Sequence, residues 1–115
     1  PVLHADDVIE MQARVDEVHM SEPVRKYIVD IARASRDSNE IMVGLSPRGS
    51  LALAQASRAW AWMDGRDFVQ PDDVQALLVP VCAHRIVIEG TATGTHWLLA
   101  AELIEAIART VSSPA

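Results

Sequence analysis

The chain has 115 residues, half of them hydrophobic, 23% charged and only 4% aromatic, with 16 acidic against 10 basic side chains and a formal net charge of −6. That length suits one core and is short for two, and the acidic balance excludes a general electrostatic attraction to nucleic acid or to an anionic membrane. No apolar run approaches the ~18 residues that a membrane span needs, and the opening PVLHADD has no basic segment leading into a hydrophobic one.

A first helix is predicted from about Asp6 to Asp16, with acids near its start and Val8, Met11, Val15 and Val18 at helical spacing. A second follows Ser21, with Pro23 in its first turn and Val24, Tyr27, Ile28, Ile31 and Ser35 along one face. The polar stretch from Asp37 to Gly44 reads as a connector whose end, Ile41 to Val43, dips into apolar surroundings. Ser46 and Pro47 then start a third helix, because a serine hydroxyl accepts from a free backbone N–H and proline suits the first helical position.

This helix is predicted to end near Met63, where Asp64 and Gly65 supply a left-handed stop. Its expected inner stripe is Ala52, Leu53, Ala56, Ala59, Trp60 and Met63, with Arg48, Leu51, Gln55 and Trp62 as a shoulder. Phe68 and Val69 form a short extended segment. A fourth helix begins at QPDDV, carries Val74, Leu77, Leu78, Val81 and Cys82 inward, and contains Pro80, which is expected to kink it. Residues 89–95, EGTATGT, read as a loop, and a last helix runs from Thr95 or His96 to about Val111 with Leu98, Leu99, Glu102, Leu103, Ala106 and Ile107 as its stripe. The fold expected from these patterns is an all-α bundle of about five helices.

Little of this chain offers catalytic chemistry. A phosphate-cradling loop needs glycines followed by a lysine, and the single lysine, Lys26, has no glycine near it. The four histidines, His4, His19, His84 and His96, lack metal-ligand spacing, so no metal site is expected. No serine stands in G-x-S-x-G, and the lone Cys82 falls at a core position, which fits a reducing compartment and makes the cytoplasm the expected location. Asp72 and Asp73 read as capping acids, and His84 and Arg85 as cations closing the fourth helix.

Arg48 stands apart. A cation in the first turn meets the positive end of the helix dipole, at a cost of roughly 0.3–1 kcal/mol when exposed. It therefore needs another reason to be there, and a helix start with free N–H groups plus a guanidinium is good chemistry for an anionic phosphate.

The segment from Gly44 to Ile86 resembles the C-terminal lid of the MoxR family of AAA+ ATPases. The resemblance lies in G-x-S-P-R at Gly44 to Arg48, A-x-A-x-x-x-G-R-D-F-V at Ala59 to Val69, P-D-D-V at Pro71 to Val74, P-V at Pro80 and Val81, and H-R-I at His84 to Ile86. Upstream, VRKYIVDIARASR at residues 24–36 is similar to the family's second lid helix with its terminal arginine. Two departures concern caps: Gln70 replaces a threonine, and His4 replaces a serine.

The resemblance implies a small helical lid closing over ATP held by a preceding α/β core domain. Arg48 would be sensor 2, the candidate catalytic residue that contacts the γ-phosphate, with Ser46 beside it and Tyr27 and Ile28 bordering the adenine. ATP and Mg²⁺ would serve the full-length protein, with none bound by this piece alone. Partners implied are the core domain in cis, five further copies in a ring hexamer and a von Willebrand factor A domain protein. The start at Pro1 rather than at a methionine gives the same expectation: residues 1–115 as one lid domain of a longer polypeptide whose P-loop core lies elsewhere. Trp62 is expected to be exposed, awaiting a missing domain or subunit. The alternative is a free-standing helical module that binds another protein through the acidic first helix and the Trp62 shoulder.

Overall fold

The computed structural model describes residues 3–88 and 96–114. Five helices follow in order: α1 (Ala5–Asp16), α2 (Glu22–Asp37), α3 (Pro47–Met63), α4 (Pro71–Cys82), continued by a 3₁₀ turn at Ala83–Arg85, and α5 (His96–Thr110). The all-α class holds, with no β-strand among the described residues. The only extended pairing there is two isolated bridges, His19 with Phe68 and Val43 with Val87. The loop expected at residues 89–95 lies outside the described residues.

Local chemistry explains the helix ends. The Ser46 hydroxyl accepts from the Gly49 N–H at 3.1 Å, and Gly65, at φ +80°, provides the left-handed stop after α3. The two departures in capping are compensated by acids three residues on: Asp7 accepts from the His4 N–H at 2.9 Å and Asp73 from the Gln70 N–H at 2.7 Å. Pro80 lies inside α4 without ending it, and the 3₁₀ turn begins three residues later.

The core gathers Ile31 from α2, Leu45 from the connector, Leu53 from α3, Val74 and Cys82 from α4, Ile86 and, from α5, Ile104, all at most 1% exposed. Burial also pushes the Cys82 thiol up to about 11, so it is an inert hydrophobe at neutral pH.

The inner faces of α3 and α5 differ from the expected stripes. On α3 the buried line is Gly49, Leu53, Ser57 and Ala61, and on α5 it is Ala100, Ile104 and Ala108. Both follow every fourth residue, the ridge along which helices interdigitate, and both use small side chains that let a neighbouring helix come close. Such a ridge drifts by about 40° per step. By the last turn of α3 the buried position is Ala61, which leaves Trp60 45% and Met63 68% exposed. Trp62, expected to be exposed, is partly buried against the core. Ala52, Ala56 and Ala59 instead line a shallow cleft with Val8, Met11 and Val15 of α1. Of the three apolar residues Ile41, Met42 and Val43, only Ile41 is buried, because the Val43–Val87 bridge holds Met42 and Val43 at the surface.

A polar clamp joins α3 to α4. Arg66 donates to both oxygens of Asp73, at 2.8 and 2.6 Å, and also to the Phe68 carbonyl and to Asp64. The neighbouring Asp67 is tied elsewhere, its backbone carbonyl accepting from the His19 N–H at 2.8 Å.

Candidate functional site

The start of α3 is set by its neighbour in space, the end of α2. Leu45 is fully buried, and both of its backbone groups are held: its N–H donates to Ser35 Oγ at 2.8 Å and its carbonyl accepts from Arg36 Nη1 at 2.8 Å. Ser35 in turn donates to the Ala32 carbonyl at 2.6 Å. Two glycines allow this closeness. A Cβ on Gly44 would stand 2.6 Å from the Arg36 nitrogen, and one on Gly49 would stand 2.5 Å from Cδ1 of Leu45.

One residue beyond Leu45, Ser46 caps the helix, and Arg48 follows in the first turn. Arg48 is exposed and, among the described residues, neither its guanidinium nor its backbone N–H has a hydrogen-bond or ion-pair partner. Proline at position 47 has no N–H, and the N–H groups of Gly49 and Ser50 are taken by Ser46. The Arg85 stem also lies over this turn, with its Cδ 3.5 Å from where a Gly49 Cβ would be, while its Nε donates to the Val81 carbonyl. That bond closes the fourth helix as its position in the sequence predicts.

A groove of about 580 Å³ runs beside the same turn between α2 and α3. Ile28, Ala32, Pro47, Leu51 and Ala54 give it an apolar surface, and Arg25, Arg36 and Arg58 line it without any acid. In a chain of net charge −6 this is a local excess of positive charge. Of the two residues expected at the adenine, Ile28 borders this groove. Tyr27, about 100° further round the helix, lines a different cavity with Glu105 and Arg109, where its hydroxyl accepts from Gln75 at 3.2 Å. Both are nearly buried within this chain, at 2% and 3% exposure. Thus Ile28 borders a groove that reaches Pro47 and Ser50 of the turn carrying Arg48, though neither Ser46 nor Arg48 lines it, and Tyr27 lies on another side.

The donors at the α3 start suit phosphate oxygens: a free guanidinium, a free N–H and the positive end of a helix. They do not suit a divalent cation, and among the described residues no three metal-ligating side chains converge. Sequence reasoning missed the clamp on Leu45. The signal present was Ser35-Arg36 at the end of one helix and Gly44 eight residues after Arg36, but nothing in the spacing says that they meet.

Residues 33–108 match the AAA lid domain model. The chain is 37% identical to the Bacillus subtilis protein YeaC over 80% of its own length and 29% of that protein's. It is 36% identical to the protein MoxR of Paracoccus denitrificans over 84% of its length and 32% of the relative's. A candidate ATPase from Cytophaga hutchinsonii superposes with a TM-score of 0.80 at 28% identity, covering 96% of this chain and 36% of that one. The chain therefore spans about a third of the length of the proteins it matches. With the five-helix architecture and the GLSPR start of α3, these matches show that the chain belongs to the AAA lid domain family, as a lid of the MoxR-type AAA+ ATPases.

Proposed function

We propose that this lid closes over ATP bound by an α/β core domain of the same polypeptide and that Arg48, as sensor 2, reads the γ-phosphate. The observation that carries this reading is Arg48 itself, exposed and, among the described residues, without a partner at a serine-capped helix start, in a chain where acids outnumber bases. A charge-assisted hydrogen bond contributes about 1.5–3 kcal/mol. Made with ATP and lost with ADP, it supplies the differential binding energy that any nucleotide-driven movement of a lid requires. Ser46 holds the turn, and Ile28 borders the groove that would face the base.

In the full-length protein ATP and Mg²⁺ are the cofactors, and the metal would be held by the phosphates and the core domain. The working assembly is a ring hexamer that remodels partner complexes in the cytoplasm, together with a von Willebrand factor A domain protein.

The test is ATP turnover and nucleotide affinity of the intact ATPase with Arg48→Ala. A tenfold or larger fall in turnover is expected, about 1.4 kcal/mol or more in the barrier, with ATP still bound. Unchanged turnover and affinity would leave the GLSPR pattern a packing feature and favour a protein-interaction module, for which the exposed Trp60 and Met63 are the first surface to probe.

A further inference from the structure

Arg36 has a more specific partner than its position at the end of α2 requires. A cation there is favoured by the helix dipole alone, and it could satisfy one of the carbonyls of its own last turn. Its Nη1 instead reaches the carbonyl of Leu45, nine residues on and one residue before the α3 cap. The Leu45 N–H is held by Ser35, so consecutive residues of α2 grip the two polar groups of one backbone unit.

The grip has no slack. Gly44 lies flush against the Arg36 backbone, and the Leu45 side chain fills the space under Gly49. Leu45 is thus wedged between the end of α2 and the first turn of α3, and a displacement of either helix end is carried to the other. Arg48 is three residues from the wedge.

We infer that Arg36 is a positioning residue for the nucleotide sensor: it fixes Arg48 relative to α2, so that the loss of a phosphate felt at Arg48 is passed to α2 and to the arginine-lined groove. This rests on the sensor reading of Arg48 and adds to it a named route within the lid. Arg36 does not touch the nucleotide in this scheme. It acts through Leu45 on the turn that carries Arg48.

A double-mutant cycle in the intact ATPase tests it, because residues that act through one another are non-additive whereas independent ones multiply in rate. The variants are Arg36→Met, which keeps the stem and removes the donors, Arg48→Ala and the pair, with Arg36→Lys as the conservative rescue. Arg36→Met is expected to lower turnover at saturating ATP about fivefold, with KM changed less than twofold. The pair is expected to be within twofold of Arg48→Ala alone, and Arg36→Lys to recover at least half of the loss. In the same variants, amide exchange at Leu45 and Ser50 should quicken about tenfold while α5 stays protected, which separates a local release from general unfolding.

If Arg48→Ala impairs turnover and Arg36→Met is silent, or if the two losses multiply, Arg36 is structural and this inference falls while the sensor reading stands. If Arg48→Ala is itself silent, both fall together.

Discussion

Replacing Gly44 with alanine is expected to destabilise the fold by about 3 kcal/mol, a fall in midpoint temperature of about 10–15 °C for a domain of this size. The new Cβ would lie 2.6 Å from the Arg36 nitrogen and 2.7 Å from its Cα, and both are backbone atoms of α2 that cannot swing aside like a side chain. To make room the connector must withdraw, and withdrawal breaks the two hydrogen bonds that hold Leu45. Each of these is worth about 1 kcal/mol net, and more when a buried group is left unpaired.

Gly65 is the informative control. It needs its positive φ, but nothing lies within 4 Å of where its Cβ would be. Gly65→Asn should therefore cost well under 1 kcal/mol, since asparagine tolerates the left-handed region. Thermal melts followed by far-ultraviolet circular dichroism measure both. A Gly44→Ala midpoint within 2 °C of the parent would show that the α2–connector contact is not tight.

The second large effect is expected at Asp73. Its carboxylate is 3% exposed and accepts two hydrogen bonds from Arg66 and one from the Gln70 N–H. Asp73→Ala removes all three and leaves the Arg66 guanidinium with only Asp64 and the Phe68 carbonyl. Breaking a buried pair by deleting one partner costs about 3–5 kcal/mol, and about 3 is expected here because Arg66 remains in reach of water. Asp73→Asn keeps one acceptor oxygen and should cost less.

The pH dependence follows from the same geometry. Burial alone would raise the Asp73 carboxyl, but the hydrogen bonds from Arg66, the Gln70 N–H and the Arg66 charge together hold it below the usual carboxylate range. A carboxyl depressed in the folded state adds stability that is fully present above its unfolded value, about 3.9, and is lost as pH falls through the folded one. Urea unfolding at steps from pH 7 to pH 2 should therefore show a steeper acid loss in the parent chain than in Asp73→Asn. Parallel curves would mean that the pair contributes no linkage.

The Asp73 case also shows what kind of information a sequence holds. PDDV reads as a helix start because proline and acids there act within one turn, and the structure begins α4 at Pro71 with Asp73 accepting from Gln70. That half of the Asp73 role is local. The other half, the fork to Arg66, depends on how the turn after α3 folds back, which no spacing between residues 66 and 73 reveals.

The same division runs through the whole chain. The sequence by itself determined the five helices, most of their ends to within a residue or so (α4 stops at Cys82 and finishes as a 3₁₀ turn at Arg85), the left-handed stop at Gly65 and the helix start that presents Arg48, because caps, prolines and glycines act on a backbone over three or four residues. The inner faces of α2 and α4 were legible as well, since Val24, Tyr27, Ile28, Ile31 and Ser35 on one and Val74, Leu78 and Cys82 on the other are buried; only the tertiary structure decided which faces α3 and α5 bury. The sequence draws attention to the large residues Trp60, Met63, Leu98 and Leu99, yet α3 and α5 bury Gly49, Ser57, Ala61, Ala100 and Ala108. Close helix crossings favour small side chains on the ridge between them. Tertiary structure also decided that Leu45 is wedged between α2 and α3, and that the adjacent residues Tyr27 and Ile28 border different cavities. Spacing along one helix fixes angles around its own axis, and the partner across that axis is set by chain that lies tens of residues away.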